Sequence, residues 1–271
     1  MRIPAVIRLV HPAPAIAVVT LSAVLALIMA AQNGSIPILR VSLVVLSVAG
    51  SQIATGALND WADRHRDRAA RPEKPIPAGE VTSAAALWVA ASGVLLQLAA
   101  SVPLGPLPTL LGLAALASAV AYDMGLSRTP VSVIPYLVSF GLLPLWIASG
   151  LGLSVERVLP AVPLIAPFAA AAHLANTLRD WDADAAGGSR SLSQVLGRQW
   201  GLRAAVVLAL GTGLAAGAFG LATGKLGVGT AVLGVIGLLA VAQGVRGAGA
   251  LWYGILAAAV TWAAAWALST G

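Results

Sequence analysis

Three aspartates fall within the nine residues Asn59-Asp60-Trp61-Ala62-Asp63-Arg64-His65-Arg66-Asp67, in a chain of which only 10% is charged. Asn59, Asp63 and Asp67 recur at every fourth position, so on a helix their oxygen-bearing side chains stack along one face, a turn apart. Like charges stacked in this way repel unless cations sit between them, and hard divalent ions such as Mg²⁺ prefer oxygen ligands. The pattern recurs downstream. Asn176, Asp180 and Asp184 repeat the spacing at the end of another hydrophobic run, with Asp182 as an additional acid. Two such ladders facing one another would make a site for a bridging anion, most simply a diphosphate.

The elements that must position these acids are apolar. With 59% hydrophobic residues in 271, the composition lies well outside the soluble range and predicts an integral, multi-pass membrane protein in contact with membrane lipids. Apolar runs lie near Ala15–Ala31, Pro37–Leu58, Val81–Val102, Leu107–Ala121, Val131–Leu151, Leu159–Leu178, Leu202–Ala222, Leu226–Ala242 and Gly249–Leu268. Each is roughly 15 to 22 residues, close to what a spanning helix needs. The expectation is an all-α polytopic bundle of about nine transmembrane helices, forming a single domain over residues 1–271. Arg2 and Arg8 precede the first run. Reading that run as a cleaved secretory signal would remove a span that the charge pattern requires.

With the N-terminus in the cytoplasm, alternate spanning leaves only Arg40, Arg157 and Lys225 of the 16 basic residues on the far side. That asymmetry is the cytoplasmic excess of Lys and Arg expected of membrane proteins, and it accounts for the net charge of +6 without a nucleic-acid partner. Both ladders then face the cytoplasm, because an even number of spans separates them. Each ends an even-numbered helix and is followed by a basic loop, which predicts two four-helix units plus a last helix, with the ladders meeting at one mouth. Gly213-x-x-x-Gly217 suits close helix packing in lipid. The absence of cysteine excludes disulfides, thiolate metal sites and a cysteine nucleophile.

After the first ladder, Arg68-Ala-Ala-Arg71-Pro72-Glu73-Lys74-Pro75-Ile76-Pro77-Ala78-Gly79 forms a loop stiffened by proline. Lys74 lies in its rigid part and is a candidate anion ligand, and Arg190 holds the equivalent place after the second ladder. Trp61 and Trp181 read as interfacial anchors, and His65 and His173 as solvated or packed side chains, since Mg²⁺ has little use for imidazole.

Asn59-Asp60-x-x-Asp63-x-x-x-Asp67, followed by Arg71-Pro72-x-Lys74-Pro75-Ile76-x-x-Gly79 and later Asp180-x-x-x-Asp184, resembles the UbiA superfamily of intramembrane prenyltransferases. The resemblance implies Mg²⁺-dependent transfer of an isoprenoid chain from a prenyl diphosphate to an aromatic, quinone-precursor or lipid acceptor. It implies that Asn59, Asp63, Asp67, Asn176, Asp180 and Asp184 hold the metal ions, with Asp60 in support, and that Asp63, Asp67, Asp180 and Asp184 are catalytic. Lys74, Arg71, Arg190 and Arg128 are the expected diphosphate ligands. Tyr122, Asp123, Tyr136, Phe140 and Phe168 are candidates for the substrate pocket, since an aromatic face attracts a developing cation. The segment from Tyr122 to Arg128 departs from the family's connector, with Asp123 in place of a small residue and no proline pair, which leaves the acceptor open. Asp123 reads as a proton acceptor or as a partner for Arg128, the second being the simpler. Two other readings fit the same residues: a membrane terpene cyclase that keeps the ionisation step, and a non-enzymatic carrier of divalent cations. A haem-modifying farnesyltransferase ranks lower on the composition of the basic loop.

Overall fold

The computed structural model describes residues 4–269, leaving aside the side chains of Ala161, Ala183 and Ala267. Arg2 of the charge pattern lies outside the described residues. Twelve α-helices and no strand occur among these residues. In chain order they are α1 (Ala5–Leu9), α2 (Pro12–Gln32), α3 (Ile38–Ala70), α4 (Ser83–Ser101), α5 (Pro106–Asp123), α6 (Ile134–Gly150), α7 (Val162–Arg179), α8 (Trp181–Ala186), α9 (Leu192–Leu196), α10 (Arg198–Ala222), α11 (Val228–Ala242) and α12 (Ala248–Ser269). Every one of the nine apolar runs corresponds to a helix of 15 residues or more. Seven of these helices, α4 and α11 together with the 3-10 turns that continue them to Leu104 and Arg246, are long and apolar enough to cross a membrane. The other two differ for visible reasons: α6 has only 17 residues, and α7 carries His173, Asn176 and Arg179 in its second half.

Local sequence sets the helix starts. Prolines open α2 and α5, where the missing N–H has no intrahelical partner to lose. Thr82 caps α4 by accepting the Ala85 N–H at 3.1 Å. Serine and threonine hydroxyls inside the apolar helices donate back to their own backbone, as Ser22 does to the Val18 carbonyl at 2.8 Å, so they demand no partner from lipid.

One core joins α2, α3 and α6 through Leu21, Leu25, Val44, Val48, Trp146 and Ile147, and a second joins α7, α10 and α12 through Leu174, Ala205, Ala209, Leu251 and Ile255. α12 packs on both α2 and α7 and so ties the end of the chain to its beginning. The outward faces are as apolar as the cores. Trp88 is 76% exposed and Val228 84%, a surface suited to lipid and not to water.

The helix that carries the first ladder is held by close backbone approach. A Cβ on Gly50 would stand 2.5 Å from the backbone nitrogen of Gln97, and one on Gly93 would stand 2.5 Å from that of Ala54, so α3 and α4 touch through reciprocal glycines. Gly213 gives way to the Trp262 ring in the same manner, whereas Gly217 faces open space, so only half of that small-residue pair packs closely.

Candidate active site

α3 continues well past Leu58, so the first ladder is helical throughout, and the aspartates on it are buried: Asp60 is 2% exposed, Asp63 7% and Asp67 1%. Charges so placed need partners. Lys74, returning on the loop after α3, lies 2.8 Å from an oxygen of Asp60 and 2.8 Å from an oxygen of Asp67. Asp63 is held on both oxygens, by Arg128 at 2.7 Å and by Arg66 one helical turn on at 2.7 Å. Arg71 reaches away from its own ladder to the second one, 3.5 Å from Asp180 and 3.9 Å from Asp184. The two ladders therefore meet, with guanidinium groups between them.

The second ladder is not one continuous helical face. α7 ends at Arg179 and Asp184 lies on α8, with a turn at Asp180 between them.

Between the ladders opens a cavity of about 470 Å³. Asn59, Asp63, Arg66, Arg71, Arg128, Asn176, Asp180 and Asp184 line its polar end. Farther in, the walls become apolar: Leu21 and Leu25 from α2, Val48 from α3, Leu143 and Trp146 from α6, and Trp262 and Trp266 from α12. From Asp63 to Val48 along α3 the cavity wall runs for about 22 Å at the helical rise per residue. Tyr122, Tyr136, Phe140 and Phe168 line the intermediate zone. The Tyr136 ring lies 5.4 Å from that of Tyr122 and 5.7 Å from that of Phe140.

The model of the UbiA prenyltransferase family matches residues 19–248. The chain belongs to that family. It is a prenyltransferase and a multi-pass membrane protein. Digeranylgeranylglyceryl phosphate synthase of Methanoculleus marisnigri is 32% identical over 206 residues, which cover 73% of this chain and 70% of that protein. The enzyme of the same name from Ignicoccus hospitalis is 31% identical over 185 residues, covering 63% of this chain and 59% of its own length. Among solved structures, the apo form of a UbiA homologue from Aeropyrum pernix superposes with a TM-score of 0.72 at 22% identity, covering 91% of this chain and 94% of that one. A UbiA homologue from Archaeoglobus fulgidus bound to GPP and Mg²⁺ gives a TM-score of 0.67 at 19% identity, over 80% of this chain and 78% of that one.

In this UbiA-family chain, most residues singled out by spacing or resemblance lie around the cavity, and four do not line it. Asp60, Asp67 and Lys74 form an ion-paired layer beside it. The Arg190 side chain is exposed, and its backbone N–H donates to the Arg128 carbonyl at 3.0 Å. Arg128 pairs with Asp63 and not with Asp123, whose partner is instead Asn59, the amide nitrogen donating at 2.9 Å. His173 is fully buried, packed against Tyr122 and Tyr136, and hydrogen-bonded to Ser132 at 2.8 Å.

Burial by itself would lower the Lys74 pKa, but the Asp60 and Asp67 carboxylates outweigh it and hold the ammonium above its ordinary value. Burial raises Asp184; Arg71 and Arg66 oppose the rise, and Asp180 and Asp63 add to it. Among the described residues, no three His, Asp or Glu side chains converge closely enough to enclose a metal on their own. Asn59, Asp63, Asp180 and Asp184 nevertheless present an all-oxygen donor set to one cavity. Mg²⁺ is usually held by one or two carboxylates, with phosphate oxygens and water completing the shell. The donor set fits an ion shared with a diphosphate and does not fit a closed protein cage.

Three residues of the site escaped the sequence reading as ligand candidates. Arg66 lies three positions from Asp63, a helical spacing that could have paired them. Arg179 lines the cavity with its guanidinium 5.3 Å from the centre of the Trp252 ring, a contact that nothing in the linear sequence announces. His11, also on the cavity wall, lies 3.0 Å from Asp60 and holds the only positive φ (52°) outside glycine among the described residues. Forty-nine positions separate it from its partner, so no local pattern could have found it.

Proposed function

We propose that the enzyme transfers a prenyl group from a prenyl diphosphate to a lipid acceptor at the cytoplasmic face of the membrane, with Mg²⁺ as cofactor. The observation that carries the reading is the meeting of both aspartate ladders at one end of a cavity whose other end is apolar and roughly 22 Å away. A diphosphate with an isoprenoid tail has that same polarity along its length. The choice of a lipid acceptor over an aromatic or quinone-precursor one rests on the two digeranylgeranylglyceryl phosphate synthases, whose common name describes a glycerol phosphate lipid.

In this reading, Arg71 and Arg128 exchange their carboxylate partners for diphosphate oxygens, while Asn59, Asp63, Asp180 and Asp184 are free to ligate the ions. Mg²⁺ bound there would neutralise charge on the departing diphosphate. The allylic C–O bond breaks with both electrons leaving on the diphosphate oxygen. Tyr122, Tyr136 and Phe140 flank the carbon that becomes positive, and their ring faces stabilise it. The apolar walls keep water from that carbon, so the acceptor oxygen forms the new bond and gives up its proton to the released diphosphate. The chain is read as one domain of nine spans, two four-helix units and a last helix, with its N-terminus in the cytoplasm. The basic-residue asymmetry supports that orientation.

Purified enzyme in nanodiscs, given prenyl diphosphates of several lengths and a panel of acceptors, tests the proposal by mass spectrometry of products and by diphosphate release. Asp63→Ala and Asp180→Ala should each abolish release. Unimpaired release in both variants would rule out the ladders as the reaction site, and a cyclised hydrocarbon formed without acceptor would replace transfer by cyclisation.

A further inference from the structure

Asn59 heads the first ladder, yet an asparagine is a metal ligand only through its carbonyl oxygen, since its amide nitrogen carries two protons and no free lone pair for the ion. Which end faces the cavity depends on what holds the other end. The Asn59 amide nitrogen lies 2.9 Å from the Asp123 carboxylate, which arrives from the last residue of α5 and is 7% exposed. A carboxylate accepts and does not donate, so it selects the amide end of Asn59 and leaves the carbonyl for the opposite direction. Both residues line the cavity. The second ladder is arranged alike: the Asn176 amide nitrogen donates to the Tyr136 hydroxyl of α6 at 3.2 Å.

We infer that Asp123 is a positioning residue, which acts through Asn59 by pinning its amide nitrogen so that the carbonyl oxygen is presented to a divalent ion. The inference rests on the prenyl-transfer reading above for the identity of the site. It gives a use to the acid that stands where the connector was expected to hold a small residue. Asp123 itself contributes no ligand and takes no proton from the acceptor. An anion at this position adds repulsion beside Asp63, and its hydrogen bond to Asn59 offsets part of the cost of burying it.

The test uses the full-length protein in detergent, with Mn²⁺ and inorganic diphosphate as the probe and electron paramagnetic resonance as the readout of metal affinity. Asp123→Ala should weaken Mn²⁺ binding about 10- to 100-fold, the usual loss when a group that orients a ligand is removed. Asp123→Asn, whose side chain donates as well as accepts and so no longer selects one end of Asn59, should recover only part of the affinity. The decisive comparison is made in an Asn59→Asp background, where the two oxygens are equivalent and orientation has no meaning: there Asp123→Ala should cost nothing. An equal loss in both backgrounds, or no loss in either, overturns the inference. Diphosphate release from a prenyl diphosphate, measured in parallel on the unaltered protein, reports separately on the reaction. If that release is missing while the metal-binding pattern holds, the prenyl-transfer reading fails and the role of Asp123 stands.

Discussion

Lys74 sits 2.8 Å from each of two nearly inaccessible carboxylates, and the consequence is structural before it is catalytic. Removing one partner from a buried ionic group leaves charge uncompensated, so Lys74→Met should destabilise the protein by roughly 3–5 kcal/mol, read as a lowered heat-unfolding midpoint in detergent. The sign with pH follows from the raised pKa. Stability due to Lys74 is complete below the unfolded-state value of about 10.4 and is lost as pH rises through the higher folded value, so alkaline titration should unfold the unaltered protein and leave Lys74→Met less affected. The i, i+4 spacing of Asn59, Asp63 and Asp67 was legible because helical geometry is local. The triad of Asp60, Lys74 and Asp67 was not, because it depends on how the proline loop folds back. His11 was still less so, since its place beside Asp60 is set by where α2 packs.

The 33-residue α3 is the element on which the site depends, and its position is set by contact of backbone on backbone with α4 at Gly50 and Gly93. Gly50→Ala or Gly93→Ala would force the two helices apart at the turns that precede the ladder. Each should cost about 1–3 kcal/mol by overpacking and lower activity as well, whereas Gly217→Ala, facing open space, should change neither. A thermal-unfolding comparison of the three variants checks this. The apolar runs announced the nine long helices, because length and hydrophobicity are properties of a segment alone. The break between α7 and α8 went unread, because the repeated Asn-Asp-Asp spacing implied a second copy of the continuous first ladder.

At the scale of the whole molecule, α12 closes the bundle by packing on α2 and α7, and the apolar outer faces leave lipid as the surrounding medium. The proposed orientation can be checked directly, since the chain has no cysteine to interfere. Arg68→Cys should react with an impermeant thiol reagent only from the cytoplasmic side of inverted vesicles, and Lys225→Cys only from the opposite side. Each reacting from the side opposite to the one expected would reverse the topology, and reaction of both from one side would refute alternate spanning between them. The guanidinium groups lodged among the acids carry one more implication. Because Arg66, Arg71 and Arg128 already counterbalance Asp63, Asp180 and Asp184, the fold does not lean on divalent ions as small metal-organised domains do. Dialysis against a chelator should therefore silence the enzyme without melting it, and returning magnesium should restore turnover with no refolding step.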